Sequence, residues 1–182
     1  MRSIDLLCIF LLLAFGAVAQ NAPTVEQAQA ACGPLSTNFS VKTSNSQKPM
    51  PQPESGKAMI YVIEDWEPAD TGRMSRPALR VGMDGNWMGA TQGDSYLYFS
   101  ADPGPRHLCI SNQSPIRSYG RFIYLTAVYG LDSKPDRAHY FRARMPRGET
   151  STFFSLILEP LNVDEARLLM AQYAHATSNA IK

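Results

Sequence analysis

Between residues 80 and 111 no apolar run lasts long enough to build a helix, and each run is closed by residues that turn the chain. Val81-Gly82-Met83 stops at Asp84-Gly85, Tyr96-Leu97-Tyr98-Phe99 stops before Pro103-Gly104, and Leu108-Cys109-Ile110 follows at once. Short runs punctuated in this way make antiparallel strands, and Asp-Gly supplies the positive φ that a two-residue hairpin loop requires. Similar runs recur at 57–64, 122–131, 138–145 and 151–158. The expected fold class is all-β, an antiparallel β-sandwich of about seven to eight strands with one C-terminal α-helix.

The chain divides along these lines. Residues 20–55 read as an N-terminal arm and a linker, because Pro49, Pro51 and Pro53 cannot join a sheet ladder or continue a helix. Residues 56–160 form the sandwich. Its central strand is 57–64, whose Ala58-Met59-Ile60-Tyr61-Val62-Ile63 run suits burial on both faces. Residues 112–120 read as a polar loop, and in 138–145 Tyr140, Arg142 and Arg144 alternate with Phe141, Ala143 and Met145. Residues 161–182 are expected to form a helix and tail. Asn162 and Glu165 make a capping box, Val163, Ala166, Leu169, Met170 and Tyr173 make an apolar face, and His175 falls near the helix C-terminus.

Residues 1–19 read as a signal peptide. Arg2, the apolar run from Leu6 to Phe15 and the Ala17-Val18-Ala19 cleavage site precede Gln20, and no later stretch is apolar enough to cross a bilayer. The expected address is periplasmic or secreted. Export removes Cys8 and leaves Cys32 and Cys109 where disulfides form. A Cys32–Cys109 bridge would close a long loop and contribute about 4 kcal/mol. The formal net charge of +1 gives no basic footprint for nucleic acid.

Several short motifs in this order resemble the bacterial domain-of-unknown-function family 2846. They are the Gly56-Lys57-Ala58 strand start, the Val81-x-x-Asp84-Gly85-x-x-x-Gly89 hairpin, a strand ending in Pro103-Gly104-x-x-His107-Leu108, and the late Tyr140-Phe141 pair. The hairpin also resembles PEGA modules, and the Cys32-Gly33-Pro34 and His107-Leu108-Cys109 pairing is similar to secreted forms of the acidobacterial type. The resemblance implies a small envelope β-sandwich without catalysis, covering about residues 56–159.

No catalytic or metal motif is present: no Gly-x-Ser-x-Gly, no His-Glu-x-x-His and no phosphate-cradling loop. No cofactor is expected. Trp66, Trp87, Tyr96 and Tyr98 are the candidate ligand-binding residues, since aromatic faces on an exported sandwich can stack a sugar or meet a protein. The expected function is a non-catalytic module that binds an envelope protein or glycan. The alternative is a hydrolase of a cell-wall or extracellular polymer that uses Glu64, Asp65 or Glu67 near His139 or His107. A thiol at Cys109 beside His107 is conceivable only if the disulfide is absent.

Overall fold

The computed structural model describes residues 32–45, 50–66, 77–118, 120–145 and 155–181. The leader 1–19, the first part of the arm (20–31), Pro49, Glu67 and residues 151–154 of the last expected strand lie outside the described residues. In chain order the elements are β1 (Asn38–Ser44), β2 (Ala58–Glu64), β3 (Ala78–Met83), β4 (Asn86–Gln92), β5 (Ser95–Ala101), β6 (Gly104–Asn112), β7 (Ile116–Ser118) and β8 (Arg121–Ile123). They continue with β9 (Thr126–Ser133), β10 (Ala138–Arg144), β11 (Ile157–Leu161), α1 (Val163–Gln172) and β12 (Ala174–Ile181).

The fold is all-β and layered. A six-stranded sheet in the order β1-β12-β5-β2-β10-β11 faces a four-stranded sheet in the order β4-β3-β6-β9, and β7 and β8 form a separate hairpin. Period-two alternation along β2 explains the layers. Ala58, Ile60 and Val62 point into the core between the sheets, beside Leu79, Val81, Leu108 and Ile110. Met59, Tyr61 and Ile63 point the other way, onto Ala166 and Met170 of α1. The β3–β4 hairpin turns at Asp84 and Gly85, with φ of 50° and 82°, as their sequence requires.

Helix α1 starts where the sequence places it. Asn162 accepts hydrogen bonds from the backbone N–H of Asp164 and Glu165 at 3.1 and 2.8 Å. The Glu165 carboxylate serves Arg142 as well as the cap. The helix then ends at Tyr173, which is already extended.

Three expectations are corrected. The tail does not trail from the helix: residues 174–181 are β12, antiparallel to β1 from Asn38↔Ile181 to Ser44↔His175. His175 is therefore a buried strand residue and not a helix-terminal one. The 122–131 run is not one strand, since Tyr124 and Leu125 separate β8 from β9, and the loop at 112–120 contains β7. Finally, twelve strands are present among the described residues, and β2–β10 and β5–β12 run parallel in the otherwise antiparallel pairing. The alternation of Phe39 and Val41 with Ser40 and Lys42 already marks β1 as a short strand, and the strands the sequence did not display are β7, the separate β8 and β12.

Truncation after Tyr173 would strip the ladder from β1 and open the edge of β5. The shortened chain is expected to lose cooperative unfolding in urea and to aggregate, as read by circular dichroism and light scattering.

Candidate functional site

The two cysteines meet. Cys32 and Cys109 are both buried and form a disulfide with 5.3 Å between Cα atoms across a sequence separation of 77. The thiol chemistry conceived for Cys109 with His107 therefore has no free thiol. His107 is exposed, its Nδ1 lying 3.8 Å from Asp84 Oδ1.

The disulfide brings the segment 32–37 across the outer face of the four-stranded sheet, and Arg80 fastens it there. The Arg80 guanidinium is wholly buried. It donates to the carbonyls of Leu35 and Thr37 at 2.7 and 3.2 Å, and to Ser111 Oγ and the Asn112 carbonyl at 3.3 and 3.0 Å. Its carbon lies 4.8 Å from the Trp87 ring centre and 5.6 Å from that of Tyr124. Burial lowers its pKa while Tyr124 opposes the shift. Carbonyl dipoles and aromatic faces thus replace the usual carboxylate. The approach is close enough that a Cβ on Gly82 would sit 2.8 Å from the Cys32 carbonyl oxygen.

The four aromatic candidates do not share a surface. Trp66 is buried in the core between the sheets and donates from Nε1 to Glu64 Oε1. Trp87 donates from Nε1 to the Pro34 carbonyl at 2.8 Å, so it packs the arm. Tyr96 and Tyr98 do come together, on the face of the six-stranded sheet that α1 partly covers. Tyr98, Tyr61 and Tyr140 lie directly opposite one another on β5, β2 and β10. The Tyr61 ring centre is 5.5 Å from Tyr98 and 5.0 Å from Tyr140, and His175 stacks on Tyr98 at 5.0 Å and meets Tyr96 at 5.4 Å. Burial first, and then the neighbouring tyrosines, push the Tyr61 phenol above its ordinary range. Its hydroxyl donates to the Pro51 carbonyl at 2.7 Å, which holds the proline-rich strap over the sheet.

A groove opens at the end of this row. Strands β5 and β12 pair only at Ser95↔Ala174 and Tyr96↔His175, after which β5 follows β2 and β12 follows β1. The gap left between them has a volume of about 260 Å³ and is lined by Met88, Leu97, Tyr98, His175, Thr177 and Ser178, among others. Ser178 Oγ accepts from the Ala90 N–H at 2.9 Å, which leaves its own proton for an acceptor in the groove. Of these residues the sequence pointed only to Tyr98. The period-two pattern Ala174-His175-Ala176-Thr177 was the available signal for the others, and it is faint because the alternating residues are small.

The carboxylates and histidines of the hydrolase alternative are dispersed. Glu64 is buried in the core between the sheets, where it also accepts from the Gly93 N–H at 3.1 Å. Burial raises its pKa to about 8 against the lowering effect of hydrogen bonds from Thr91, Trp66 and Gly93. Asp65 accepts from the Tyr173 hydroxyl and lies 3.6 Å from Arg142. Burial disfavours the Arg142 charge, but Glu159, Glu165 and Asp65 outweigh it and hold the pKa above its ordinary value. His139 pairs in register with Ile60, four steps from Glu64 along β2 and so about 13 Å away. It accepts from the Lys134 N–H at 3.2 Å, and burial first lowers its pKa while Asp132 opposes the shift. No group of His, Cys, Asp and Glu among the described residues is arranged to hold a metal ion, and no described helix is long and apolar enough to cross a membrane.

These observations define a class: a disulfide-bonded all-β layered module with a groove where two strands of a sheet separate. No family model, curated protein or solved structure matches the chain.

Two outcomes test the buried charges. Arg80→Ala leaves the Leu35, Thr37 and Asn112 carbonyls without their donor and should lower the free energy of unfolding by about 3 kcal/mol in urea titrations. Glu64 has a folded-state pKa above its ordinary 4.5, so its protonated form favours the fold below about pH 4.5, and that contribution is lost as pH rises through about 8. Glu64→Gln should therefore match the parent near pH 4 and exceed it by about 3 kcal/mol at pH 9.

Proposed function

We propose that this protein is an exported, non-catalytic β-sandwich module that binds a glycan or other envelope component in the groove between β5 and β12. The observation that carries the reading is the groove's chemistry. Tyr98, stacked on His175, lines the groove together with Thr177 and Ser178, and an aromatic ring beside hydroxyl-bearing residues suits the apolar faces and hydroxyl edges of a sugar. The Cys32–Cys109 disulfide supports an oxidising compartment, in keeping with the leader read in residues 1–19. The resemblance to family 2846 and to PEGA modules belongs to the same proposal, since both imply small envelope sandwiches.

The hydrolase reading rests on one observation, the raised pKa of Glu64. Trp66 and Gly93 both donate to Oε1 of that buried carboxyl, and His139 and His107 lie on other strands away from it, so the binding reading is preferred.

Met88 is exposed at the mouth of the groove, and Met88→Trp would fill the groove without disturbing the core. Retention on isolated envelope polysaccharide is expected to fall by about tenfold or more. Stability should change by no more than about 0.5 kcal/mol. Undiminished retention by this variant would move the binding site elsewhere, and retention by neither protein would remove the glycan.

A further inference from the structure

The β7–β8 hairpin stands apart from both sheets. Its strands pair only with each other, at Ile116↔Ile123, Arg117↔Phe122 and Ser118↔Arg121. Ile116 roots it in the core between the sheets. Phe122, near its end, is 73% exposed, the most exposed large apolar side chain among the described residues. Arg117 lies directly across from Phe122, and Arg121 precedes it. Both arginines are exposed, and neither makes an ion pair among the described residues. Tyr124, which follows the hairpin, and Val128 of β9 are 39% and 37% exposed.

Along the stretch of chain that carries the hairpin the formal charges have one sign. From Pro103 to Leu131 the sequence contains no Asp or Glu, whereas Arg106, Arg117 and Arg121 fall within it. The chain as a whole is almost neutral, with a formal charge of +1. The acids of the described molecule are engaged at other places: Asp84 and Asp102 with Arg106, and Glu159 and Glu165 with Arg142. An exposed aromatic ring on a hairpin that pairs with neither sheet, flanked by guanidinium groups without an ion pair among the described residues, is the arrangement by which a protein surface enters the headgroup layer of a membrane. The ring reaches the acyl boundary while the long cationic side chains stay among the phosphates.

We propose that the β7–β8 hairpin is a contact site for an anionic lipid surface, with Phe122 inserting at the interface and Arg117 and Arg121 pairing with lipid phosphates. Cationic side chains beside an exposed ring match the phosphates and acyl boundary of an anionic lipid layer. The site is separate from the groove between β5 and β12, and either can fail without the other.

The test is co-sedimentation of the exported, disulfide-bonded protein with vesicles of equal parts phosphatidylglycerol and phosphatidylcholine, and with vesicles of phosphatidylcholine alone. The expected result is binding to the anionic vesicles that weakens in high salt. Arg117→Glu with Arg121→Glu should reduce it by about 30-fold or more, and Phe122→Ala by about tenfold. All these positions are exposed, so thermal unfolding should be unchanged. In a Phe122→Trp variant, the fluorescence of the new ring should shift to the blue on adding anionic vesicles. Equal binding by parent and variants, or no binding to anionic vesicles, would overturn the proposal. So would a dimer in sedimentation analysis that Phe122→Ala abolishes, because that outcome assigns the hairpin to a second copy of the chain.

Discussion

The burial of β2 on both faces is the constraint from which the layers follow. All seven residues from Ala58 to Glu64 are buried, so an element has to cover each side. The four-stranded sheet covers one and α1 covers the other. The ladder is satisfied at both edges, by β5 antiparallel and β10 parallel. A strand this apolar has no stable exposed arrangement, and its place at the centre of the sheet is the direct result. The tyrosines on its α1 side carry hydroxyl groups that need partners, which is why the strap near Pro51 lies where it does.

The outer face of the four-stranded sheet is managed differently. There the cover is a short irregular segment with few apolar side chains, too small to stay in place through burial alone. One covalent bond at Cys32–Cys109 and the two hydrogen bonds from Arg80 to the Leu35 and Thr37 carbonyls hold it, while Arg80 is itself anchored on Ser111 and Asn112 of the sheet. The two devices are complementary: the disulfide limits how far the segment can travel, and the guanidinium fixes its orientation by meeting several carbonyls at once. Trp87 closes the arrangement, with its ring against Arg80 and its N–H on Pro34.

What could be read in the sequence follows from where side-chain burial decides structure. β2, the β3–β4 hairpin and the alternation of β10 were legible because apolar residues recur with period two and turn residues stand at their ends. β12 was not. Its Ala, Ser and Asn residues carry little strand preference, and its conformation is imposed by the backbone partners on β1 and β5. The candidate site was legible in the same proportion. Tyr98 belongs to a strand the sequence displays, whereas His175, Thr177 and Ser178 belong to the one it conceals. Trp66 and Trp87 were drawn toward binding by residue type, but each indole N–H is occupied within the fold, by Glu64 and by the Pro34 carbonyl.

The pairing of β1 with β12 also sets the order in which this protein can be completed. Synthesis delivers β1 first and β12 last, yet Asn38 pairs with Ile181. β1 must therefore wait, unpaired, until almost the whole chain is available, and the six-stranded sheet can close on that side only at the end. Loop closure over so long a separation is slow compared with formation of the β3–β4 hairpin. The polar composition of β1, with Asn38, Ser40, Lys42, Thr43 and Ser44 exposed, lets it wait in water without offering an apolar edge to other chains. The polar side chains that separate Phe39 and Val41 are thus what protects the unpaired strand from association before β12 arrives.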